Sequence, residues 1–523
     1  MFRLGIDVGG TNTDAVVMHG RQVVCAIKTP TTADVTTGVL RALQQVLRDA
    51  GIVHTSLGAV MIGTTHFVNA LIERRHLAPV GVIRLALPAT SAIPPLSGWP
   101  EDMLNAFRVC SRLASGGYEF DGRELAALRP DEIRGFATEF AAMGIRNVAI
   151  SGVFSAIDDA QELAASTLVR EVLPQARITL SSQVGRMGLL ERENASILNA
   201  ALGDLGASTI AAFASALREA GVVAPFFLTQ NDGTLMSAEK AAQFPILTVS
   251  SGPTNSMRGA AFLSDCQDAI VVDIGGTTTD VGILVNGFPR QAGVAVDVAG
   301  VRTNFRMPDV LSIGLGGGTI VSDDMSTVGP QSVGYQITSE ALVFGGSTLT
   351  ASDIAVAAGV ASIGDAHAVA HLDQNKVRAC LALMQQKVAA TVERMRTSAD
   401  VVPVVVVGGG SVLVRERLGD LPIVIPPHFG AANAVGAAMA QVSAEVDRVI
   451  KLSEVSRDEA IARVQVEAED QATAAGADPE TLSVVDVEVV PLSYLSGNQA
   501  RIKIRVVGDL KLLPEKNSNH ENH

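Results

Sequence analysis

The chain of 523 residues is 47% hydrophobic, 18% charged and 4% aromatic, with a mean hydropathy of +0.30. That length gives room for roughly two to four domains with large cores, and so apolar a composition excludes a mainly disordered protein. Lys plus Arg number 40 against 54 for Asp plus Glu, and this net charge of −14, with no basic stripe, argues against nucleic acid or an anionic membrane surface as a partner.

Short apolar runs bounded by turn residues predict buried strands at 4–8, 15–18, 59–62, 80–85, 147–150, 177–180, 226–228, 269–273, 281–285, 402–407 and 421–425. The Ala-rich stretches 35–50, 160–172, 193–220 and 376–397 predict helices between them. Strand and helix in alternation imply largely parallel sheets packed between helices, an α/β fold. The small-residue stretch 431–440 (AANAVGAAMA) predicts a helix, either a plain packing helix, the commoner case, or one that allows close packing where two lobes meet. Towards the C-terminus, 453–476 is a charged amphipathic helix that includes Glu467, Glu469 and Asp470. Residues 482–490 and 499–507 alternate apolar and polar side chains, as half-buried antiparallel strands do, and a small α+β domain is expected there. The polar end, 516–523, is expected to fray.

The longest apolar run, 401–414, is broken by Pro403 and by Gly408, Gly409 and Gly410, and is too short to span a bilayer. The first residues carry no small-residue cleavage site behind an apolar segment, and Cys25, Cys110, Cys266 and Cys380 form no close pair. A cytoplasmic protein without a disulfide framework or thiolate zinc site is expected.

An internal repeat organises the rest. Residues 6–18 read IDVGGTNTDAVVM and residues 272–284 read VDIGGTTTDVGIL, aligned without a gap and sharing Asp, Gly, Gly, Thr, Thr and Asp at the same offsets. Each copy is a strand–turn–strand, so two related lobes are expected, with the cleft between them facing both turns. Asp-x-Gly-Gly-Thr-x-Thr-Asp suits a polyphosphate held with a metal ion. Gly9, Gly10, Gly275 and Gly276 let the backbone approach closely, and the turn N–H groups can donate to phosphate together with the hydroxyls of Thr11, Thr13, Thr277, Thr278 and Thr279. Asp7 and Asp273 are hard oxygen ligands suited to Mg2+, directly or through water. Asp14 and Asp280 either orient water and accept a proton or brace their turns by hydrogen bonding to backbone N–H.

Two further glycine clusters, 313–319 with Gly316 and Gly317, and 407–411 with Gly408, Gly409 and Gly410, either admit a nucleotide's phosphates, ribose or adenosine or are tight turns. His66 either reaches the cleft or is a structural loop histidine, the commoner case, and His428 is similar. Asn69 is placed to contact substrate or a neighbouring turn, and Asp309, just ahead of a glycine cluster, is a third candidate for catalysis.

With these residues the chain resembles the hydantoinase A/5-oxoprolinase family, within the actin-like ATPase superfamily. The resemblance rests on 5–14, on Gly63-Thr64-Thr65 followed by 69–74, on Ser251-Gly252-Pro253 with Arg258-Gly259-Ala260, and on 273–282, 313–320 and 408–410. It implies two actin-like, ribonuclease H-like lobes around a nucleotide cleft: an N-terminal lobe at 1–185, an ATPase lobe at 186–450 and the small domain at 451–523. The implied activity is ATP- and Mg2+-dependent opening of a cyclic amide such as a hydantoin, 5-oxoproline or another lactam, by phosphorylation of the carbonyl oxygen. A small-molecule kinase of the same superfamily and an ATPase that activates a partner are the competing classes. A second, B-type subunit is an implied partner, and a homo-oligomer stays open. The chain departs from the family where it has Ile62 and Leu311 in place of the usual histidines, and those departures bear on the substrate chemistry rather than on ATP.

Overall fold

The computed structural model describes residues 1–10, 12–31, 35–293, 295–398, 400–414, 417–492 and 498–512. The polar end from residue 516, expected to fray, lies outside the described residues. β1 (Phe2–Val8) and β2 (Asn12–His19) form an antiparallel hairpin, and β3 (Gln22–Pro30) extends it along β2. α1 (Val35–Ala50) crosses over to β4 (Leu57–Thr64), which runs parallel to β1. β1, β2 and β4 are covered on both faces and are accordingly near-continuous apolar runs, whereas β3 at the edge alternates exposed and half-buried residues. α2 (His66–Ile72) leaves β4 almost at once.

The chain then builds a separate sheet. β5 (Val80–Leu87), α3 (Glu101–Ala106), β6 (Val109–Ser115), α4 (Pro130–Ala142), β7 (Asn147–Gly152), α5 (Ala160–Val172) and β8 (Arg177–Leu180) give a four-stranded, all-parallel sheet in the order β6-β5-β7-β8. Where one helix was expected over 193–220 there are two, α6 (Leu189–Ala201) and α7 (Gly203–Glu219), set 52° apart. The break falls at Leu202, and at Gly203, which opens α7, a Cβ would stand 2.6 Å from Asn147 Oδ1 of the inserted sheet. Among the described residues no single helix is long and apolar enough to cross a membrane.

The first lobe resumes with β9 (Phe226–Thr229), parallel to β4, then β10 (Thr234–Ser237) and α8 (Ala238–Gln243). α9 (Ser251–Ser264) passes to the second lobe, where β11 (Ala269–Ile274) and β12 (Thr279–Val285) repeat the β1–β2 hairpin. β13 (Phe288–Pro289) and a small hairpin, β14 (Val296–Val298) with β15 (Val301–Thr303), lead to β16 (Val310–Ile313), antiparallel to β12 as β3 is to β2. A second hairpin, β17 (Thr319–Val321) with β18 (Val328–Ser332), and the short α10 (Ile337–Glu340) and α11 (Ala351–Ala357) precede α12 (Gln374–Met395). β19 (Val404–Val407) then runs parallel to β11, as β4 does to β1, followed by β20 (Arg417–Leu418) and β21 (Leu421–Val424). The sequence repeat is thus a repeat of topology, β1-β2-β3-α1-β4 answered by β11-β12-β16-α12-β19.

The chain finally returns to the first lobe through α13 (Ala432–Ala438). β22 (Gln441–Lys451) pairs parallel to β10, and β23 (Ser483–Leu492) and β24 (Gln499–Gly508) continue outward, with α14 (Arg457–Ala474) packed on them. These C-terminal segments are α+β, as expected, but they form no sheet of their own. They complete a nine-stranded first-lobe sheet, β23-β24-β22-β10-β9-β4-β1-β2-β3. Val446, Val464 and Ile504 bury their side chains in one core with Ala59 and Met61 of β4, which is why the sheet does not stop at residue 450. Residue 185, expected as the boundary between lobes, instead follows the inserted sheet, and the first lobe's β9 and β10 lie beyond it.

Candidate active site between the lobes

α9 and α13 cross at the centre of the molecule with backbones in contact. A Cβ at Gly436 would lie 1.8 Å from Asn255 O, and one at Gly259 would lie 1.9 Å from Ala432 O. Small residues are obligatory here, and they set the side chains of α9 between the two repeated turns.

Asp7 ends β1 and stands opposite Asp14 in the β1–β2 ladder; Asp14 in turn stands opposite Lys28 on β3 and takes its ammonium at 2.5 and 2.7 Å. In the second lobe Asp273 stands opposite Asp280, and Asp280 opposite Ser312, whose hydroxyl donates to it. The two halves therefore carry the same acid pair but brace it differently, with a cation in one and a hydroxyl in the other. Successive residues of α9 join them: Asn255 Nδ2 lies 3.4 Å from Asp7 Oδ1, and Ser256 lies beside Asp273. Asn433 of α13 reaches the other oxygen of Asp7, also at 3.4 Å.

Both lobes leave room for the carboxylate in the adjoining parallel strand. Gly63 is the β4 neighbour of Asp7, and a Cβ there would fall 2.5 Å from Asp7 Oδ1. Gly408 follows β19 with φ +86°, and its Cβ would fall 2.2 Å from Asp273 Oδ1.

The electrostatics are those of buried carboxylates set close enough to repel one another. Burial and the neighbouring Asp14 push Asp7 up to about 6, against the donors of Asn433 and Asn255. Burial and Asp280 push Asp273 up to about 7, and the charge of Asp7 adds to the rise across the cleft. Burial also raises Asp14 and Asp280, opposed by Lys28 and Ser312 respectively. Asn255 Oδ1 and the Ser256 hydroxyl are buried with no hydrogen-bond partner in regular geometry. Paired carboxylates that repel one another, with orphaned oxygens beside them, fit a divalent cation. Among the described residues no group of three or more His, Cys, Asp or Glu is disposed to enclose one. Such a donor set suits Mg2+, which keeps waters and takes phosphate oxygens alongside one or two carboxylates.

The turns themselves match. Gly9 N–H donates to Asn12 O at 3.0 Å and Gly275 N–H to Thr278 O at 2.9 Å, leaving Gly10, Thr277 and Thr278 exposed at the tips. Among the described residues the N–H groups of Gly10, Gly276 and Thr277 have no acceptor, and they are available to an anion. Thr11, expected at the first turn, lies outside the described residues. Thr13 and Thr279 are fully buried rather than at the phosphate position: the hydroxyl of Thr13 is 3.3 Å from that of Thr31, and Thr279 donates to Leu315 O at 2.6 Å. The period of two along a strand is the reason, since Asp14 and Asp280 take the opposite face.

The glycine clusters split in role. Gly317 N–H and Gly318 N–H donate to Gly275 O and Gly276 O at 3.0 and 2.7 Å, and a Cβ on Gly316 would strike Thr277 N, so this cluster braces the second turn. Gly408 and Gly410 N–H are also taken by backbone carbonyls, whereas Gly409 faces open space. Asp309 is not brought to the cluster. It sits just before β16, three residues ahead of Ser312, and pairs with Arg290 at 2.6 Å. Ile62 is fully buried in the first-lobe core and Leu311 packs against the second.

A cavity of about 610 Å3 opens beside the first turn, lined by Gly9, Gly10, His66, Asn69 and His76, with Tyr335 contributed by the second lobe. Burial and His76 hold His66 below its usual pKa against the pull of Glu73, so its imidazole is neutral near pH 7. His66 and Asn69 were legible as cleft candidates. Lys28, Asn255, Ser256 and Tyr335 were not, and Asn433 left one signal, as the one polar side chain within AANAVGAAMA.

Comparison with known families matches residues 3–173 to the hydantoinase/oxoprolinase N-terminal region and residues 192–395 to the hydantoinase/oxoprolinase domain. Caprolactamase subunit alpha of Pseudomonas jessenii is 27% identical over 64% of this chain and 51% of its own length. The acetophenone carboxylase gamma subunit of Aromatoleum aromaticum is 25% identical over 68% of this chain and 53% of its own. The alignments thus span about half the length of these two curated relatives. In fold, the chain is similar to the ATP-dependent caprolactamase of P. jessenii, with a TM-score of 0.75 and 18% identity over 98% of this chain and 88% of that one. It is also similar to nucleotide-free acetone carboxylase, with a TM-score of 0.70 and 17% identity over the same shares.

Proposed function

The chain belongs to the hydantoinase/oxoprolinase family, and from that premise we propose that it couples Mg-ATP to the opening of a cyclic amide such as a hydantoin, 5-oxoproline or a larger lactam. The observation that carries the reading is the twinned site, in which Asp7 and Asp273 are each pushed up by burial and by a neighbouring acid and joined by Asn255 and Ser256 of one helix. An amide carbonyl is a poor electrophile, and when bound, Mg-ATP supplies the phosphoryl group that turns its oxygen into a leaving group.

The chain's own residues bind and orient. Asp7 and Asp273 would hold the cation. The N–H groups of Gly10, Gly276 and Thr277 and the exposed hydroxyls of Thr277 and Thr278 would meet phosphate oxygens, neutralising charge where it develops. Gly316 and Gly317 keep the second turn in shape, and Gly408 to Gly410 leave room at the end of β19 for the rest of the nucleotide. Lys28 fixes Asp14, and Ser312 fixes Asp280, so that both point into the cleft as acceptors for water. The ring occupies the cavity at the first turn, where Asn69 orients it and neutral His66 is able to accept a proton. Asp309, bound to Arg290, has no part in this set.

A second reading draws on the carboxylase relatives, whose names place a ketone where the caprolactamase has a lactam. The same turns would then serve a ketone oxygen ahead of carboxylation. Because two of the relatives are named as subunits, a partner chain is proposed under either reading. The test is phosphate release over a panel of hydantoins, 5-oxoproline, larger lactams and simple ketones, with and without bicarbonate and a co-expressed neighbouring protein. Lactam-dependent release with ring-opened product supports the first reading, and bicarbonate-dependent release with a ketone supports the second. Phosphate release that no carbonyl compound stimulates would overturn both.

A further inference from the structure

Two adjoining cavities of about 350 and 340 Å3 lie far from either repeated turn in the chain, and none of their lining residues belongs to one. They share Ser182, Gly185, Arg186, Glu445 and Gln471 as a common wall. One side is built by the loops that follow β7 and β8 of the inserted parallel sheet; the other is β22 and α14, and the lining is completed by Arg306 and by Phe305, which is buried in the first-lobe core.

Open parallel sheets bind ligands beyond the carboxyl ends of their strands, where the strand order reverses. Here the reversal falls between β5 and β7, but that crevice is filled. Arg84 and Glu193 form a fully buried ion pair joined by Ser151, and Glu162 is satisfied by Ser155, Ser181, Ser182 and Gly152 N–H. The opening is displaced one strand further, to the β7–β8 side.

The charges lining it do not balance. Every acid in the walls has a cation: Arg306 and Arg505 serve Asp232 at 3.0 and 3.3 Å, Arg306 and Lys503 serve Glu445, and Arg501 serves Asp447. Arg186 has none. Among the described residues its guanidinium makes no ion pair or hydrogen bond, and its Nε is buried without a partner. Lys240, which also lines the first cavity, likewise has no ion pair among the described residues. Burial lowers the pKa of both, against the pull of Glu445 and Asp447 on Arg186 and of Asp232 on Lys240, and the nearby Arg306 adds to the lowering.

We propose that this groove is a second small-molecule site that takes a carboxylate, held on the Arg186 fork, with Lys240 serving a second negative group. A planar guanidinium matches carboxylate geometry, and the volumes are those of small-ligand pockets. An occupant would touch the loops of the inserted sheet, the first lobe and its C-terminal strand β22 at once.

The test uses the full chain and succinate at constant ionic strength, followed by calorimetry. Succinate is expected to bind saturably, Arg186→Gln to weaken it at least tenfold, Lys240→Gln to weaken it about threefold, and Asp7→Asn to leave it unchanged. The last arm separates this site from the nucleotide site, so the failure of one reading is not the failure of the other. Should Arg186→Gln not fold, phenylglyoxal labelling of the wild-type chain decides, with succinate expected to protect Arg186 in the mapped peptide. Absence of saturable succinate binding, equal affinity in Arg186→Gln, or unprotected Arg186 would each overturn the proposal.

Discussion

Asp7 and Asp273 are stabilised as acids by the fold and wanted as anions by the proposed chemistry, and this conflict is measurable. Their folded-state values of about 6 and about 7 stand above the ordinary 3.8. A carboxyl raised in this way favours the folded chain while it is protonated, so its contribution is full below about pH 4 and is lost as pH rises through 6 and 7. The ligand-free protein is therefore expected to melt lower at pH 8 than at pH 5. Asp7→Asn and Asp273→Asn remove the buried charge and should raise stability at pH 8, each by on the order of 2 kcal/mol, while abolishing Mg-dependent ATP turnover. Thermal melts at both pH values together with phosphate release check the pair of effects; variants that lose stability at pH 8 would contradict the charge argument. Lys28 gives the converse case. Lys28→Met leaves Asp14 buried without its cation; because the Lys28 side chain is itself 43% exposed, the cost at pH 8 is reduced by solvent screening to about 1–2 kcal/mol, with much of the loss recovered at lower pH, near pH 5 and below, as Asp14 takes a proton. A loss that is the same at both pH values would mean that Lys28 acts by packing alone. At this scale the repeat made the acids legible, because spacing and residue type suffice to place a carboxylate at a strand end. It could not show which threonines face the cleft, since Thr13 and Thr279 turn inward on strands whose facing is set by the whole sheet. Nor could it show Lys28 or Asn255, which reach the acids only through β3 and α9.

Among the elements, α9 and α13 connect packing to the site. Gly436→Ala would press a methyl group to within 1.8 Å of Asn255 O, and backbone on both sides leaves it nowhere to go. The helices must part, and Asn255 and Asn433 move off Asp7 with them. Expected are a destabilisation of about 2 kcal/mol, read as a lower urea midpoint, and a weakened affinity for Mg-ATP in the fraction that stays folded. Unchanged nucleotide affinity would detach the crossing from the site. The helical reading of 431–440 was available from sequence because a run of small residues has few other uses. The division of 193–220 into α6 and α7 was not, since Gly203 at the start of α7 meets Asn147, a contact between residues far apart in the chain. The C-terminal strands show the same limit. Their alternation gives their pairing class, but β22 finds β10 some two hundred residues upstream, and no local pattern records that choice.

At the scale of the whole molecule, the duplicated lobes are joined by α9 and by the return of the chain through α13, and their facing carboxylates repel. A cation shared by Asp7 and Asp273 would turn that repulsion into attraction, while phosphate bound at both tips would tie Gly10 to Gly276 and Thr277. The lobes are thus expected to draw together around nucleotide, and Tyr335 of the second lobe, already at the mouth of the first-lobe cavity, would move with them over the bound ring. Small-angle scattering with Mg2+ and a non-hydrolysable ATP analogue should give a smaller radius of gyration than the ligand-free chain. Asp7→Asn and Asp273→Asn should show no change with the same additions. The variants also resolve the one ambiguous result. If the wild-type profile does not move but the ligand-free variants are already as compact as the wild type, the lobes start closed and repulsion does not hold them apart. If the ligand-free variants are more compact than the wild type, the repulsion is real and the ligand has failed to overcome it.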